Sequence, residues 1–314
     1  MKNVKRKALI IGVNGQDGRL LFDLLLGLDY RLVGVDIQTL RTSQIKWNKK
    51  INIGKKDDIF ELVKKIKPAE IYYLAAFHHS SQDKDIDLYE DFKNSYQTNV
   101  LSFLNFLEAV RLFSPETKIF YASSSLIFGD SQEDRQNEQT PFNPNSSYGI
   151  TKLDGLMLGR IYREKYKIFV ASGILYNHES AYRPEKFVSM KIIKEALRIS
   201  RGEQHKLVVG NLEASVDWGY APDYVRAMVA ILSLKIPEDF IIATGKLHTV
   251  LDFIKISFSY LGLDWRSAVC EDKNIILDSK KALMGDYRKL QNKTGWKPSI
   301  NFSEMIKKII DQLK

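Results

Sequence analysis

The turn Gly12-Val-Asn-Gly-Gln-Asp-Gly18 restricts the fold more than any other stretch of this chain. It follows a short apolar run, Lys7 to Ile11, and opens a segment of helical character, Leu20 to Leu28. The N-terminus therefore reads strand, tight turn, helix. Glycines at 12, 15 and 18 allow the sharp turn and let backbone N–H groups approach a pyrophosphate, whose charge the helix N-terminus favours. A glycine triplet alone is weak, with a plain strand-to-helix turn as its alternative, so the context carries the weight. The next apolar run, Arg31 to Asp36, ends in a carboxylate. A carboxylate there accepts the adenine ribose hydroxyls of a dinucleotide and repels a phosphate on the same sugar, which predicts NAD as cofactor. Arg41 is the nearby cation that could weaken this preference.

Further apolar runs at Ile71 to Ala76, Lys118 to Ala122 and Phe169 to Ser172 alternate with helical stretches at Asp57 to Ile66, Gln97 to Phe113 and Tyr148 to Tyr166. Repeated strand and helix alternation predicts an α/β fold with a doubly wound parallel sheet covered on both faces. After Gly173 the pattern loosens, with helical segments near Lys186 to Arg201, Asp223 to Leu232, Val250 to Leu261 and Phe302 to Leu313. The expected division is a dinucleotide-binding domain over 1–175 and a smaller substrate-binding domain over 176–314, part of 216–245 packing back on the first sheet. In the stretch Val100 to Phe113, Leu101, Phe103, Leu104, Phe106, Leu107 and Val110 spread too widely for one stripe. That helix is expected to face both the sheet and another subunit of a homodimer or homotetramer, with burial inside one chain as the alternative.

The 314 residues suffice for a full core. The single cysteine, Cys270, requires no oxidising compartment. Lys2, Lys5, Arg6 and Lys7 precede an apolar run too short for a signal peptide, and no stretch is long enough to span a bilayer, so a cytoplasmic location without membrane partners is expected. The formal net charge of +9 comes from basic residues scattered through helical stretches without interleaved aromatics, which argues against nucleic acid and suits an anionic small substrate.

Tyr148 and Lys152 lie one helical turn apart on one face. A lysine ammonium there can lower the tyrosine pKa, making the phenolate a base for a hydroxyl while hydride leaves for a nicotinamide. Ser123-Ser-Ser125 ends the run Lys118 to Ala122, where parallel strands place ligands. Ser124 is the expected clamp on the reacting oxygen, the alternative being serines that satisfy their own backbone. The cofactor site is expected to take in Gly12, Gly15, Gln16, Asp17, Gly18, Asp36, Asn52, Ile53, Leu74, Ala75 and Ala76 with Tyr148 and Lys152. Asn52 either bonds the adenine edge or caps its own turn. No metal is expected.

Together these residues make the chain resemble the extended short-chain dehydrogenases/reductases, and among them the GDP-mannose 4,6-dehydratases. The likeness runs through Gly12-Val-Asn-Gly-Gln-Asp-Gly18, Tyr148-Gly-Ile-Thr-Lys152, Gly173-Ile-Leu-Tyr-Asn-His-Glu-Ser180, Gly210-Asn-Leu212, Asp217-Trp-Gly219 and Gly295-Trp-Lys-Pro298. The resemblance implies a nucleotide-sugar substrate oxidised first at C4, Asn177 beside it, and Val188 and Lys191 near its nucleotide. Ser125, Leu126, Gly210 and Asn211 join the expected substrate set. The chain also departs from the pattern. Where the dehydratases have Thr-Ser-Glu it has Ser124-Ser125-Leu126, and that glutamate is the base expected to take the C5 proton. Val216 precedes Asp217, no arginine lies near Ile276, and Asp36 replaces the basic residues of NADP-using relatives. His78 and His79, after the run Ile71 to Ala76, are assigned to the substrate side, where either a catalytic or a packing role is open. The expected activity is oxidation of C4 with a dehydrogenase, epimerase or reductase outcome. The alternatives are a 4,6-dehydratase with a substitute base and a non-catalytic nucleotide-binding protein.

Overall fold

The apolar runs become strands buried on both faces because helices cover the sheet on each side, as a parallel arrangement demands. In chain order the first half consists of β1 (Lys7–Ile11), α1 (Gln16–Gly27), β2 (Arg31–Asp36), β3 (Asn48–Lys50), α2 (Lys56–Ile66), β4 (Glu70–Tyr73), α3 (Leu88–Tyr96), α4 (Ser102–Phe113), β5 (Lys118–Ser124), α5 (Ser147–Tyr166) and β6 (Val170–Leu175). The second half consists of β7 (Asn177–Glu179), α6 (Val188–Ser200), β8 (Leu207–Val209), β9 (Ser215–Val216), β10 (Trp218–Tyr220), α7 (Ala221–Ser233), β11 (Asp239–Ile242), β12 (His248–Thr249), α8 (Val250–Tyr260), α9 (Trp265–Ala268), β13 (Val269–Glu271), α10 (Arg288–Thr294) and α11 (Phe302–Leu313). This computed structural model describes residues 5–37, 48–78, 87–203, 206–272, 275 and 281–314, with 48–50 described by backbone alone. Arg41, His79 and Ile276, singled out above, lie outside the described residues.

One sheet of seven strands, in the order β11-β6-β5-β4-β1-β2-β3, runs parallel throughout. The order reverses between β1 and β4, which opens a crevice at the carboxyl ends of the strands. On one face Ile59, Val63, Phe103, Phe106, Leu107 and Leu156 pack against the strands. On the other, Leu21, Leu25, Tyr224, Met228, Ile231 and Trp296 do so. A separate core joins α6, α8 and α11 through Ile193, Leu197, Phe253, Ile254, Ile306 and Ile310.

Several boundaries differ from the sequence reading. β4 stops at Tyr73 because the chain then leaves the sheet to cross over Gly12. The stretch read as a helix from Gln97 begins as a π-helical turn, Gln97–Leu101, continuous with α3. β5 continues through Ser124, and β6 continues past Gly173 to Leu175, so the regular pattern outlasts the point where it was expected to loosen. β11 lies between α7 and the loop that follows it, and no run had been assigned there. Among the described residues no helix is long and apolar enough to cross a membrane.

Candidate functional site

The glycine turn packs as closely as its sequence requires. Gly12 adopts φ +86°, and a β-carbon on it would lie 2.8 Å from the Ala75 nitrogen; one on Gly18 would lie 2.3 Å from the Gly12 carbonyl oxygen. Gly15 is the residue before α1, with extended backbone and no side-chain cap. A β-carbon there would meet only the Gly12 carbonyl oxygen, at 3.3 Å. The first-turn N–H groups of α1 have no helical carbonyl to bond and stand free for a phosphate. Leu74 and Ala75 lie against Gly12, and the Leu74 amide donates to the Ile11 carbonyl at 2.9 Å. Ala76 follows, exposed. Asp36 stands at the mouth of the turn, its Oδ2 accepting from the Asn14 amide at 3.0 Å. A cradle free of β-carbons, a helix start and a carboxylate beside it fit a dinucleotide, with Gly12, Gly15, Gly18, Asp36 and the 74–76 segment as the residues that would hold it.

Three expected cofactor residues use their side chains for other contacts. Asn52 Oδ1 accepts from the Gly54 amide at 3.0 Å, which is the turn-capping alternative, and Asn105 Nδ2 donates to the Ile53 carbonyl at 3.1 Å. Gln16 Nε2 donates to the His178 carbonyl at 3.0 Å, and its Oε1 accepts from the Ser180 hydroxyl at 2.9 Å. Asp17 receives His178 Nε2 at 3.0 Å. What Gln16 and Asp17 offer a phosphate is their backbone N–H groups.

Across the crevice, Tyr148 is half-buried in the first turn of α5, and Lys152 is 1 % exposed one turn later. The Lys152 Nζ donates to the Ala122 carbonyl at 2.8 Å and sits 5.5 Å from the Tyr148 ring centroid and 5.2 Å from that of Tyr121. Burial pulls the Lys152 pKa down to about 7, with the Asp17 charge opposing. Burial pushes the Tyr148 hydroxyl above the ordinary tyrosine range, with Arg183 opposing. Removal from water dominates both groups, acting against the lowering of the tyrosine that the spacing suggests. Ser124 is half-buried, and its hydroxyl accepts from the Leu126 amide at 3.2 Å. Ser125 is buried, and Leu126 is half-buried on the short 3₁₀ turn after β5. The Leu126 carbonyl oxygen lies 2.5 Å from where a β-carbon on Gly149 would sit, so this turn presses directly on the helix that carries Tyr148.

His78 packs its ring 4.2 Å from that of Tyr148 and 5.9 Å from that of Phe187. Phe187 precedes α6, whose first turn carries Val188 and Lys191. Asn177 is exposed on β7, in register with Trp218. Gly210 and Asn211 follow β8; Asn211 Oδ1 accepts from the Glu213 amide at 2.9 Å, capping its own turn.

Sequence reasoning missed Asn99 and, within a segment it did single out, the tethering role of His178, Glu179 and Ser180. Asn99, fully buried in the π-helical turn, donates to Thr151 Oγ1 at 3.0 Å and accepts from the Phe77 amide at 3.3 Å, tying the His78 loop to α5. A polar residue inside an apolar helix was the available signal, and π-helical turns recur at functional sites. The Asn177-His-Glu-Ser180 segment is also a tether. Besides the contacts of His178 and Ser180, Glu179 accepts from Ser189 Oγ at 2.7 Å and pairs with Arg183 at 3.3 Å. Asp217 is likewise internal, accepting from the amides of Thr244, Gly245 and Gly285. Among the described residues no cluster of His, Cys, Asp and Glu side chains could hold a metal.

Known proteins resemble this chain over nearly its whole length. Residues 9–309 match the family model described as GDP-mannose 4,6 dehydratase. The chain is 37% identical over 331 residues to GDP-mannose 4,6 dehydratase 2 of Arabidopsis thaliana, covering 98% of this chain and 87% of that one. It is 33% identical over 349 residues to the GDP-mannose 4,6 dehydratase of Homo sapiens, covering 99% and 92%. In fold it is similar to the dTDP-glucose 4,6-dehydratase of Bacillus anthracis, solved in complex with NAD, at TM-score 0.83, 19% identity and coverage of 98% and 96%. The UDP-glucose 4-epimerase of Thermotoga maritima, solved with UDP-glucose, gives TM-score 0.83, 22% identity and coverage of 98% of each chain. The chain belongs to the GDP-mannose 4,6-dehydratase family of enzymes, within the extended short-chain dehydrogenases/reductases.

Proposed function

We propose that this enzyme oxidises C4 of a nucleotide-linked sugar with NAD, and that its usual outcome is epimerisation, reduction or net oxidation rather than loss of water. The observation that supports the reading is Lys152, one turn from Tyr148 on α5, donating to the Ala122 carbonyl on the strand that ends at Ser124, and the resemblance implies that Leu126 stands where the dehydratases have a carboxylate. Bound NAD would supply a hydride acceptor. Tyr148 takes the C4 hydroxyl proton as the C4–H bond breaks, and Ser124 holds the same oxygen. Lys152, as a cation within reach of the tyrosine, stabilises the phenolate that does this work. Asp36 selects NAD over NADP by repelling a ribose phosphate.

The substrate is expected between the sheet and the part of the chain beyond residue 175, which serves as the substrate-binding domain. Asn177, Val188, Lys191, Gly210 and Asn211 border it, and their positions at β7, the α6 start and the β8 end support this. A homodimer through α4, the π-helical turn before it and α5 is supported by Leu101, Leu112, Met157 and Ile161, which are 41%, 48%, 42% and 50% exposed. A second reading, a dehydratase with a substitute base, draws support from His78, whose ring lies 4.2 Å from that of Tyr148.

The test is incubation with a panel of nucleotide sugars, following cofactor absorbance and product mass. Unchanged mass with altered stereochemistry, or a change of two hydrogens, agrees with the proposal. Efficient loss of water from GDP-mannose selects the second reading, and no conversion of any sugar refutes both.

A further inference from the structure

Beside β10, a cleft of about 810 Å³ opens between the loop 244–249, α8 and the segment leading into α11, with Tyr148 outside its lining. Lys246, Lys255 and Lys297 line it. Among the described residues none of these three ammonium groups has an ion-pair partner, unlike Lys289 and Lys293, which share Glu238. The one carboxylate in the lining, Asp252, is occupied in capping α8, where it accepts from the Thr249 amide at 3.0 Å. Asp252 stays ionised and offsets part of the lysine charge, Lys255 included, so three ammonium groups against one carboxylate leave the cleft net positive.

Its wall is aromatic. His248 stacks on Phe302 with ring centroids 3.9 Å apart and planes within 3°, and Phe302 stacks on Trp218 at 5.7 Å and 17°. Burial holds the His248 pKa below its ordinary value, so at neutral pH the ring is an uncharged face suited to stacking. Trp218 also lines the cleft, is 2% exposed, and its indole N–H meets no acceptor. Buried donors are normally satisfied, and one left without a partner beside a cavity invites a ligand acceptor.

We propose that this cleft is a second ligand site, for a nucleoside diphosphate, with phosphates among Lys246, Lys255 and Lys297 and the base against the His248 ring. Lysines supply point charges for phosphate, and a volume of this size lies within the range of small-molecule pockets. The site shares no residue with the crevice described above, yet Trp218 and Gly219 pair in register with Asn177 and His178. Occupancy on one side of β10 thus bears directly on the strand that borders the sugar.

The test is equilibrium dialysis of the whole protein with uridine diphosphate in the presence of saturating NADH. Wild type is expected to bind one more equivalent than the variant carrying Lys246→Gln, Lys255→Gln and Lys297→Gln, whose exposed substitutions leave the fold intact; residual binding to that site weakens by roughly tenfold or more. His248→Ala is expected to reduce the preference for uridine diphosphate over inorganic pyrophosphate. Equal stoichiometry and affinity in wild type and the triple variant would overturn the proposal, as would pyrophosphate binding the wild type as tightly as the nucleotide.

Discussion

The Nε2 atom of His178 lies 3.0 Å from both carboxylate oxygens of Asp17, joining the first turn of α1 to the strand that leaves the main sheet. The ring is held from its other nitrogen by the Tyr176 carbonyl at 2.7 Å and stacks on Tyr224 at 4.4 Å. Burial alone would lower the His178 pKa, but the Asp17 charge and hydrogen bond outweigh it and raise the pKa above 6.5. Burial likewise favours protonated Asp17, yet His178 and Arg183 bring its pKa below 3.8. A raised histidine contributes stability fully below its ordinary value and loses it as pH climbs through the folded value; a lowered aspartate contributes fully above its ordinary value and loses it as pH falls. His178→Gln is therefore expected to destabilise most between about pH 4 and 6.5, with a smaller deficit in alkali. Melting curves of both proteins across pH 4 to 10 test this, and a deficit that does not vary with pH contradicts it.

Lys152 has the opposite linkage. Its pKa falls from 10.5 to about 7 on burial, so the folded state gives up a proton that the unfolded chain keeps. The cost to stability is complete below about pH 7 and fades as pH rises towards 10.5. Lys152→Met, similar in length and uncharged, should melt higher than wild type near pH 6, with the advantage shrinking by pH 10. A variant that is less stable at pH 6 and relatively better at pH 10 reverses the expected sign.

Tyr148→Phe removes one hydroxyl and leaves the ring contact with His78. Turnover is expected to fall by about 10²- to 10⁴-fold, the usual cost of losing a general base, while melting temperature and cofactor binding change little. Near-wild-type turnover would falsify the assignment of Tyr148 as base.

Titration of cofactor-free protein is expected to give tighter binding of NAD than of NADP, because the Asp36 carboxylate faces the turn at the Asn14 amide. Asp36→Asn should narrow the difference by weakening the repulsion. Tighter binding of NADP by wild type defeats the prediction.

Leu126→Glu places a carboxylate on the turn that presses against Gly149. Elimination from GDP-mannose, measured as the 4-keto-6-deoxy product by mass, is expected to be negligible in wild type and detectable in this variant. Efficient elimination by wild type, abolished by His78→Asn, would instead identify His78 as the base.

The glycine turn, β1, β2 and α5 were legible in the sequence because each is fixed by short-range pattern: spacing of glycines, an apolar run, a tyrosine and lysine four apart. What escaped reading depends on distant partners. Asp239–Ile242 is only four residues, and its strand identity comes from the open edge of β6. The roles of Gln16 and Asp17 were assigned by their place in the turn, whereas their side chains answer to residues 178 and 180. Asn52 was left between two roles, and the geometry of Gly54 favours the turn. Asn99 stands out locally only as a polar residue in an apolar stretch, and its tethering role emerges once Phe77 and Thr151 are brought beside it.

The pairing of β11 with β6 gives synthesis of this chain a timing problem. β6 ends at Leu175, but the strand that closes its outer edge is Asp239–Ile242. At a translation rate of about 5–20 residues per second, the nascent chain holds a long, apolar, unpaired strand edge for several seconds. Such an edge is a template for pairing with another chain. A fragment that ends between these two strands therefore keeps the edge open, whereas one that extends past Ile242 carries the strand that can seal it.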